Sequence, residues 1–158
     1  MKIIFSICLL LLVSCTTYHI PPKAYNFEKS KVFNKSYDEV WGKIIKWFTV
    51  KGTPIKTIDK ASGIIGGDFN LNASSSIEYF DCGEAGGRGA DISNDYSGNF
   101  NIIVEKFDEN KVEVTVSAFF SGIMEETNPN NKYQKLTTKI DCSSTGKLEK
   151  DILDYIGS

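Results

Sequence analysis

The sequence predicts an α+β fold in which two amphipathic helices pack on one face of an antiparallel β-sheet. Three observations support this prediction. A helical repeat of apolar residues spans 37–51, alternating apolar residues occupy much of 99–121, and a second helical repeat closes the chain at 145–156. Runs of strands bracketed by helices are typical of α+β domains.

The first helix is predicted at residues 37–51. Ser36 and Glu39 form an S-x-x-E capping box, in which a hydroxyl and a carboxylate satisfy free backbone N–H groups at the helix start. Gly52 ends the repeat. Of its two tryptophans, Trp41 lies on the apolar stripe and is expected in the core, whereas Trp47 lies off the stripe and is the better candidate for a ligand platform. The stripe itself consists of Tyr37, Val40, Trp41, Ile44, Ile45 and Phe48.

Strands are predicted before and between the two helices, and the runs 53–59 and 63–70 around residues 60–62 form a hairpin candidate. Gly66-Gly67 interrupts one extended run and predicts a bulge or a close backbone approach. The strongest signal is the alternation of Phe100, Ile102 and Val104, which continues after a turn at 108–110. The predicted strands lie within residues 25–35, 53–59, 63–70, 77–82, 99–121 and 133–142.

The second helix is predicted at residues 145–156, with Ser144 or Thr145 as its N-cap. Leu148, Ile152, Tyr155 and Ile156 form its apolar stripe, and Gly157 ends it.

The first fifteen residues, MKIIFSICLLLLVSC, are typical of an export signal. Lys2 is basic, and the apolar run that follows is too short to cross ~30 Å of hydrocarbon, which takes about 20 residues. The ending Leu12-Val13-Ser14-Cys15 resembles the bacterial lipobox. That resemblance implies that residues 1–14 are a cleaved lipoprotein signal peptide and that Cys15 carries a diacylglycerol and acyl chains such as palmitate. The alternative is an ordinary secretory peptide cleaved elsewhere, with Cys15 incidental.

This prediction divides the chain into three parts. Residues 1–14 are removed, residues 15–24 form a lipidated N-terminus and tether that contains Pro21-Pro22, and residues 25–158 form a single α+β domain. Removing residues 1–14 leaves 144 residues with 17 basic and 20 acidic side chains, a formal charge of −3. Without a basic stripe, nucleic-acid binding has little support.

The cysteines can be assigned by subtraction. Cys8 leaves with the signal peptide and Cys15 would carry lipid, so Cys82 and Cys142 remain and are predicted to form a disulfide, as is usual in exported chains. A redox or metal role is the alternative, but the chain has no C-x-x-C, and its only histidine, His19, lies in the predicted tether. No cofactor and no metal are predicted.

The glycine-rich segment 83–98, GEAGGRGADISNDYSG, is the least regular part of the domain. Phosphate binding lacks the G-x-x-x-x-G-K-[ST] pattern, and calcium binding lacks the D-x-[DN]-x-[DN]-G loop. The segment is therefore predicted to be a mobile surface loop. It is also the first candidate for a binding loop, with Arg88, Asp91 and Asp95 as its candidate binding residues.

Four stretches at core and capping positions carry a resemblance to a known family: Ser36-Tyr37-Asp38-Glu39-Val40-Trp41, Ile55 to Asp59, Gly63-Ile64-Ile65 and Cys142 to Ile156. Together with the order of elements, they resemble the helix-grip domains of small envelope lipoproteins, including the lipoprotein C subunit of the outer-membrane barrel-assembly complex. The late cysteine followed by S-T-G-x-L-E, here residues 144–149, is similar to uncharacterised small lipoproteins.

The sequence favours a non-catalytic role. A serine or cysteine nucleophile would need a histidine base inside the domain, and carboxylate pairs such as Asp91 with Asp95 or Glu125 with Glu126 are better explained as solvated surface. We therefore expect a membrane-anchored binding or envelope-assembly module with an envelope protein partner. The residue after Cys15 is Thr16 and not the aspartate that, in the familiar sorting rule of enterobacteria, retains lipoproteins at the inner membrane. The expected location is therefore the outer membrane, facing the periplasm. The alternative is an inhibitor or immunity lipoprotein against a lysozyme or toxin.

Overall fold

A computed structural model describes residues 17–69, 71, 77–128, 131 and 133–158. The predicted signal peptide and Cys15 lie outside these residues. The fold is α+β, as predicted, and no helix in the described part of the chain is long and apolar enough to cross a bilayer. The elements are β1 (Tyr18–Ile20), β2 (Ser30–Phe33), α1 (Tyr37–Lys51), β3 (Ile55–Asp59), β4 (Ile64–Phe69), β5 (Phe80–Asp81), β6 (Glu84–Gly86), β7 (Ala90–Ile92), β8 (Ser97–Asp108), β9 (Lys111–Thr127), β10 (Lys135–Ser144) and α2 (Lys147–Gly157).

The sheet is built around β9, which is 17 residues long. The main sheet runs in the order β3-β4-β8-β9-β10-β5, and all of its pairings are antiparallel. Along one side β9 pairs first with β8 and then with β7, and along the other side first with β2 and then with β10. Each side of β9 is therefore shared by two shorter strands.

The predicted hairpin around residues 60–62 is confirmed as β3 and β4. Its irregularity lies on β3, between Ile55 and Thr57, opposite the two glycines of β4. A Cβ on Gly67 would lie 2.6 Å from the Phe48 ring, so this glycine lets α1 approach the sheet closely.

The helices cover one face of the sheet. Alternate residues of β8 and β9 are buried on that face, including Phe100, Ile102 and Val116. Trp47 is only 1% exposed and packs edge-on against the rings of Phe48 and Phe100, at centroid distances of 5.4 and 5.5 Å. The idea that Trp47 is an exposed platform is therefore wrong. Because α1 contacts α2 as well as β8 and β9, its buried surface is wider than one apolar stripe.

The helix boundaries differ slightly from those predicted. The α1 helix begins and ends as expected, with Ser36 Oγ accepting from the Glu39 N–H at 3.3 Å and Gly52 at φ 62°. The α2 helix begins at Lys147 rather than at residue 145, with Gly146 as its N-cap. Ser144 and Thr145 do not cap it. Their hydroxyls donate instead to the Glu149 carboxylate and the Glu78 carbonyl, at 2.8 and 2.7 Å.

Candidate functional site at the disulfide end of the domain

Cys82 and Cys142 form the predicted disulfide, with 4.1 Å between their Cα atoms. Strands β5 and β10 pair Asp81 with Ser143, so the two cysteines occupy the next register position on neighbouring chain segments. The bond joins residues 60 positions apart in sequence. It fastens the start of the glycine-rich segment to the strand that leads into α2.

An N-terminal strand packs against this disulfide. Strand β1 pairs antiparallel with β6 and aligns Tyr18 with Gly86. The Nε2 atom of His19 lies 2.6 Å from the carbonyl oxygen of Cys82. Since a carbonyl oxygen only accepts, Nε2 donates in this hydrogen bond. Part of the segment predicted to be a tether therefore lies on the domain, from residue 18 onward.

Two glycines of the glycine-rich segment receive the N-terminal strand. Gly83 has a φ of +74°, and a Cβ placed there would lie 2.0 Å from the carbonyl oxygen of Ile20. At Gly86 a Cβ would lie 2.5 Å from the Tyr18 ring. Side chains at these positions would collide with these neighbours, so Gly83 permits close approach of two backbones and Gly86 leaves room for the Tyr18 ring.

Asp81 joins the same contact region to residue 25. Its Oδ1 accepts from the Gly83 N–H at 2.8 Å, and its Oδ2 accepts from the Tyr25 hydroxyl at 2.9 Å. The Gly83 N–H, followed by the Tyr25 hydroxyl, lowers the pKa of the Asp81 carboxyl below its usual value. The same hydrogen bond to the carboxylate raises the pKa of the Tyr25 hydroxyl.

The three candidate binding residues occupy different parts of segment 83–98. Arg88 lies exposed in the turn between β6 and β7, Asp91 lies in β7, and Asp95 lies exposed between β7 and β8. Asp91 is paired with Glu125 of β9, whereas the Asp95 N–H donates to Ser93 Oγ at 3.3 Å. The segment predicted to be a mobile loop therefore contains two strands, because β1 gives β6 its backbone partners and β9 gives β7 its partners.

A groove of about 250 Å³ lies beside Asp91. Lys135 forms an ion pair with Glu125 there, and the pKa of the Lys135 ammonium is raised mainly by Glu125 and less by Asp91. Three carboxylates and one ammonium give the groove an acidic balance. Within the described ranges, no cluster of three or more His, Cys, Asp or Glu side chains is suited to hold a metal ion. The lining residues are Gly89, Ala90, Asp91, Glu125, Glu126, Thr127 and Lys135.

Two larger grooves were not predicted from the sequence. One of about 670 Å³ lies between the chain around Phe27 and Lys31 and the start of α2. Its charged side chains pair with one another, as in Lys31 with Asp154 at 3.6 Å. The other, of about 480 Å³, lies between the ends of β4 and the start of β8. Each groove has walls from segments far apart in sequence, so no local motif could have indicated it.

The comparisons with known proteins add no relative. No protein-family model matches this chain, and no curated protein matches it. What the site can do is therefore argued from its own residues. It offers a disulfide-fastened platform, a docked N-terminal strand and a small acidic groove.

Proposed function

We propose that this protein is a lipid-anchored lipoprotein of the bacterial envelope that acts as a non-catalytic binding or assembly module at the periplasmic face of the outer membrane. The Cys82–Cys142 disulfide is the observation that carries the proposal. Disulfides persist in oxidising compartments such as the periplasm. Once this pair is assigned, Cys15 is the cysteine left to carry lipid after removal of residues 1–14.

The position of the only histidine supports a binding role over a catalytic one. His19 donates to the backbone carbonyl of Cys82, so its Nε2 has a structural partner. Nucleophilic catalysis by serine or cysteine usually requires an imidazole within hydrogen-bond reach of the nucleophile. The proposed activity is therefore binding rather than catalysis, and the proposed binding partner is another envelope protein.

Mass spectrometry of the protein isolated from membranes tests the anchor. The wild type is expected to begin at an acylated Cys15 and to gain the mass of two hydrogens on reduction of Cys82–Cys142. The Cys15→Ser variant is expected to carry no acyl chain. A wild-type protein without acyl chains contradicts the proposed anchoring.

Site-specific photo-crosslinking in living cells tests the binding role. The crosslinker replaces Arg88 in the β6–β7 turn or Lys150 in the large groove beside α2. Phe107, near the β8–β9 turn, is the matched control because it is also exposed. An envelope protein captured from Arg88 or Lys150 but not from Phe107 supports the proposal, and the absence of any captured envelope protein contradicts it.

The acidic groove favours one second candidate, an inhibitor or immunity protein against a lysozyme or toxin. Asp91, Glu125 and Glu126 outnumber Lys135 in this groove, and complementary charge speeds and directs association with a cationic enzyme. A lysozyme activity assay with the purified protein tests it. No inhibition at large molar excess removes lysozyme as the target.

A further inference from the structure

We propose that the end of the domain formed by β1 and β6 lies directly against the bilayer, so that the domain is held in one orientation rather than on a free tether. This inference rests on the proposed lipidation of Cys15. The surface that contacts the β1–β6 end of the domain is the lipid bilayer in which Cys15 is anchored.

Chain length limits the distance between lipid and domain. Cys15 precedes Tyr18 by three residues, and three residues reach at most about 11 Å. With Cys15 acylated as proposed, its acyl chains would enter the hydrocarbon and hold its backbone at headgroup level. A free tether that extended to Tyr25 would have ten residues and a reach of up to about 36 Å. Because β1 is docked on the domain, only the shorter distance of up to about 11 Å separates the lipid from the domain.

The docking of β1 connects the lipid anchor rigidly to the whole domain. Tyr18, His19 and Ile20 each have a partner in β6, and His19 donates to Cys82. Cys82 is in turn covalently joined to β10 of the main sheet. Since each link is a backbone pairing, a hydrogen bond or a disulfide, rotation of the sheet relative to β1 would break contacts.

The exposed side chains of β1 suit a membrane interface. Tyr18 and Ile20 lie two residues apart on the strand and are 55% and 43% exposed. Tyrosine is enriched at membrane interfaces, where its ring meets the acyl boundary and its hydroxyl meets water. These two side chains are therefore the ones we expect to touch lipid.

The β8–β9 turn provides an internal reference away from the membrane. A Cβ on Gly122 would lie 3.4 Å from Cys82 Sγ, so this part of β9 lies level with the disulfide. Eleven residues separate Gly122 from Lys111 at the turn, about 36 Å along a strand. Phe107 beside this turn is 61% exposed and should remain in water.

Hydroxyl-radical footprinting of the full acylated protein in phosphatidylethanolamine–phosphatidylglycerol vesicles tests the inference. The matched variant carries an insertion of about ten Gly and Ser residues between Thr16 and Thr17, with an average span of about 17 Å. We expect Tyr18 and Ile20 to be oxidised severalfold more slowly in the wild type than in the insertion variant. Phe107 should react equally in both. Equal oxidation of Tyr18 and Ile20 in the two proteins overturns the inference.

Vesicle flotation and intact mass, measured on the same samples, separate the two proposals. An acylated protein that floats with vesicles but leaves Tyr18 and Ile20 unprotected overturns the orientation and leaves the anchoring intact. A protein without acyl chains overturns both.

Discussion

The carboxylate of Glu149 accepts a hydrogen bond from the backbone N–H of Ala118 at 3.4 Å, at a position where Glu149 has 0% exposure. Pairing of β9 with β2 extends to Thr115, and pairing with β10 begins at Phe120. Glu149 supplies a hydrogen-bond acceptor to the part of β9 that lies between these two strand pairings. Its other oxygen accepts from Ser144 Oγ at 2.8 Å, so one acidic side chain links α2 to β9 and to the end of β10.

We expect Glu149→Ala to destabilise the fold strongly, because it leaves the Ala118 N–H without an acceptor and opens a cavity. An unsatisfied buried donor costs about 1–3 kcal/mol. Glu149→Gln keeps one acceptor oxygen and should cost less. Urea unfolding provides the measurement, with Glu105→Ala as an exposed control. A Glu149→Ala variant as stable as the control would contradict this role.

Removal of the disulfide should lower stability substantially. In the loop-entropy model, a crosslink between residues 60 apart stabilises the folded state by about 4 kcal/mol. A Cys82→Ser, Cys142→Ser double variant should unfold at a correspondingly lower urea concentration. Reductant should shift the wild type toward the double variant and leave the double variant unchanged. A wild type that is insensitive to reductant and matches the double variant would argue against the bond.

Acid should weaken the contact between Asp81 and its neighbours. The pKa of Asp81 is lower in the folded state than its usual value, mainly because the Gly83 N–H donates to the carboxylate. The stabilisation by Asp81 is therefore complete above the unfolded pKa of about 4 and is lost as the pH falls through the folded pKa.

The wild type should consequently lose more stability than Asp81→Asn between pH 7 and pH ~3. Tyr25→Phe, which removes only the smaller hydrogen-bond contribution, should lie between them. Urea unfolding at several pH values gives the comparison. Parallel pH profiles for all three proteins would falsify the assignment.

Two glycine substitutions should act in opposite directions. Gly83→Ala places a Cβ 2.0 Å from the Ile20 carbonyl oxygen at a φ of +74°, so β1 should leave β6. Hydrogen exchange should then accelerate at residues 18–20 and 84–86. Gly42→Ala lies in α1 with nothing within 4 Å of its Cβ, and should stabilise the domain by about 0.5–1 kcal/mol. Unchanged exchange in Gly83→Ala would contradict the docking of β1.

Elements with a clear local pattern were predicted well. The N-cap at Ser36, the alternation in β8 and β9 and the hairpin of β3 and β4 all occur where the sequence indicates them. The disulfide was also predicted, because subtraction left two cysteines. The lipidation of Cys15 and the binding role of Arg88, Asp91 and Asp95 stay predictions.

Features that depend on distant partners were missed. The strand at residues 18–20 is short and carries no pattern, and it exists because Gly83 and Gly86 leave room for it. Trp47 is buried by the combined contact of α1 with α2 and the sheet, which helical periodicity alone does not reveal. Glu149 belongs to the S-T-G-x-L-E pattern, but that pattern does not reveal that its buried carboxylate accepts from the Ala118 N–H and from Ser144 Oγ.

The sequence by itself determined the class of fold, both helices, the long strands and the pairing of Cys82 with Cys142, because these follow from local periodicity, capping and cysteine count. Only the tertiary structure decided that β1 docks on the glycine-rich segment, that this segment forms strands, and that a charged residue belongs in the core. The physical reason is the same in each case. A backbone N–H or carbonyl must find a partner when it is buried, and the partner comes from a part of the chain far away in sequence.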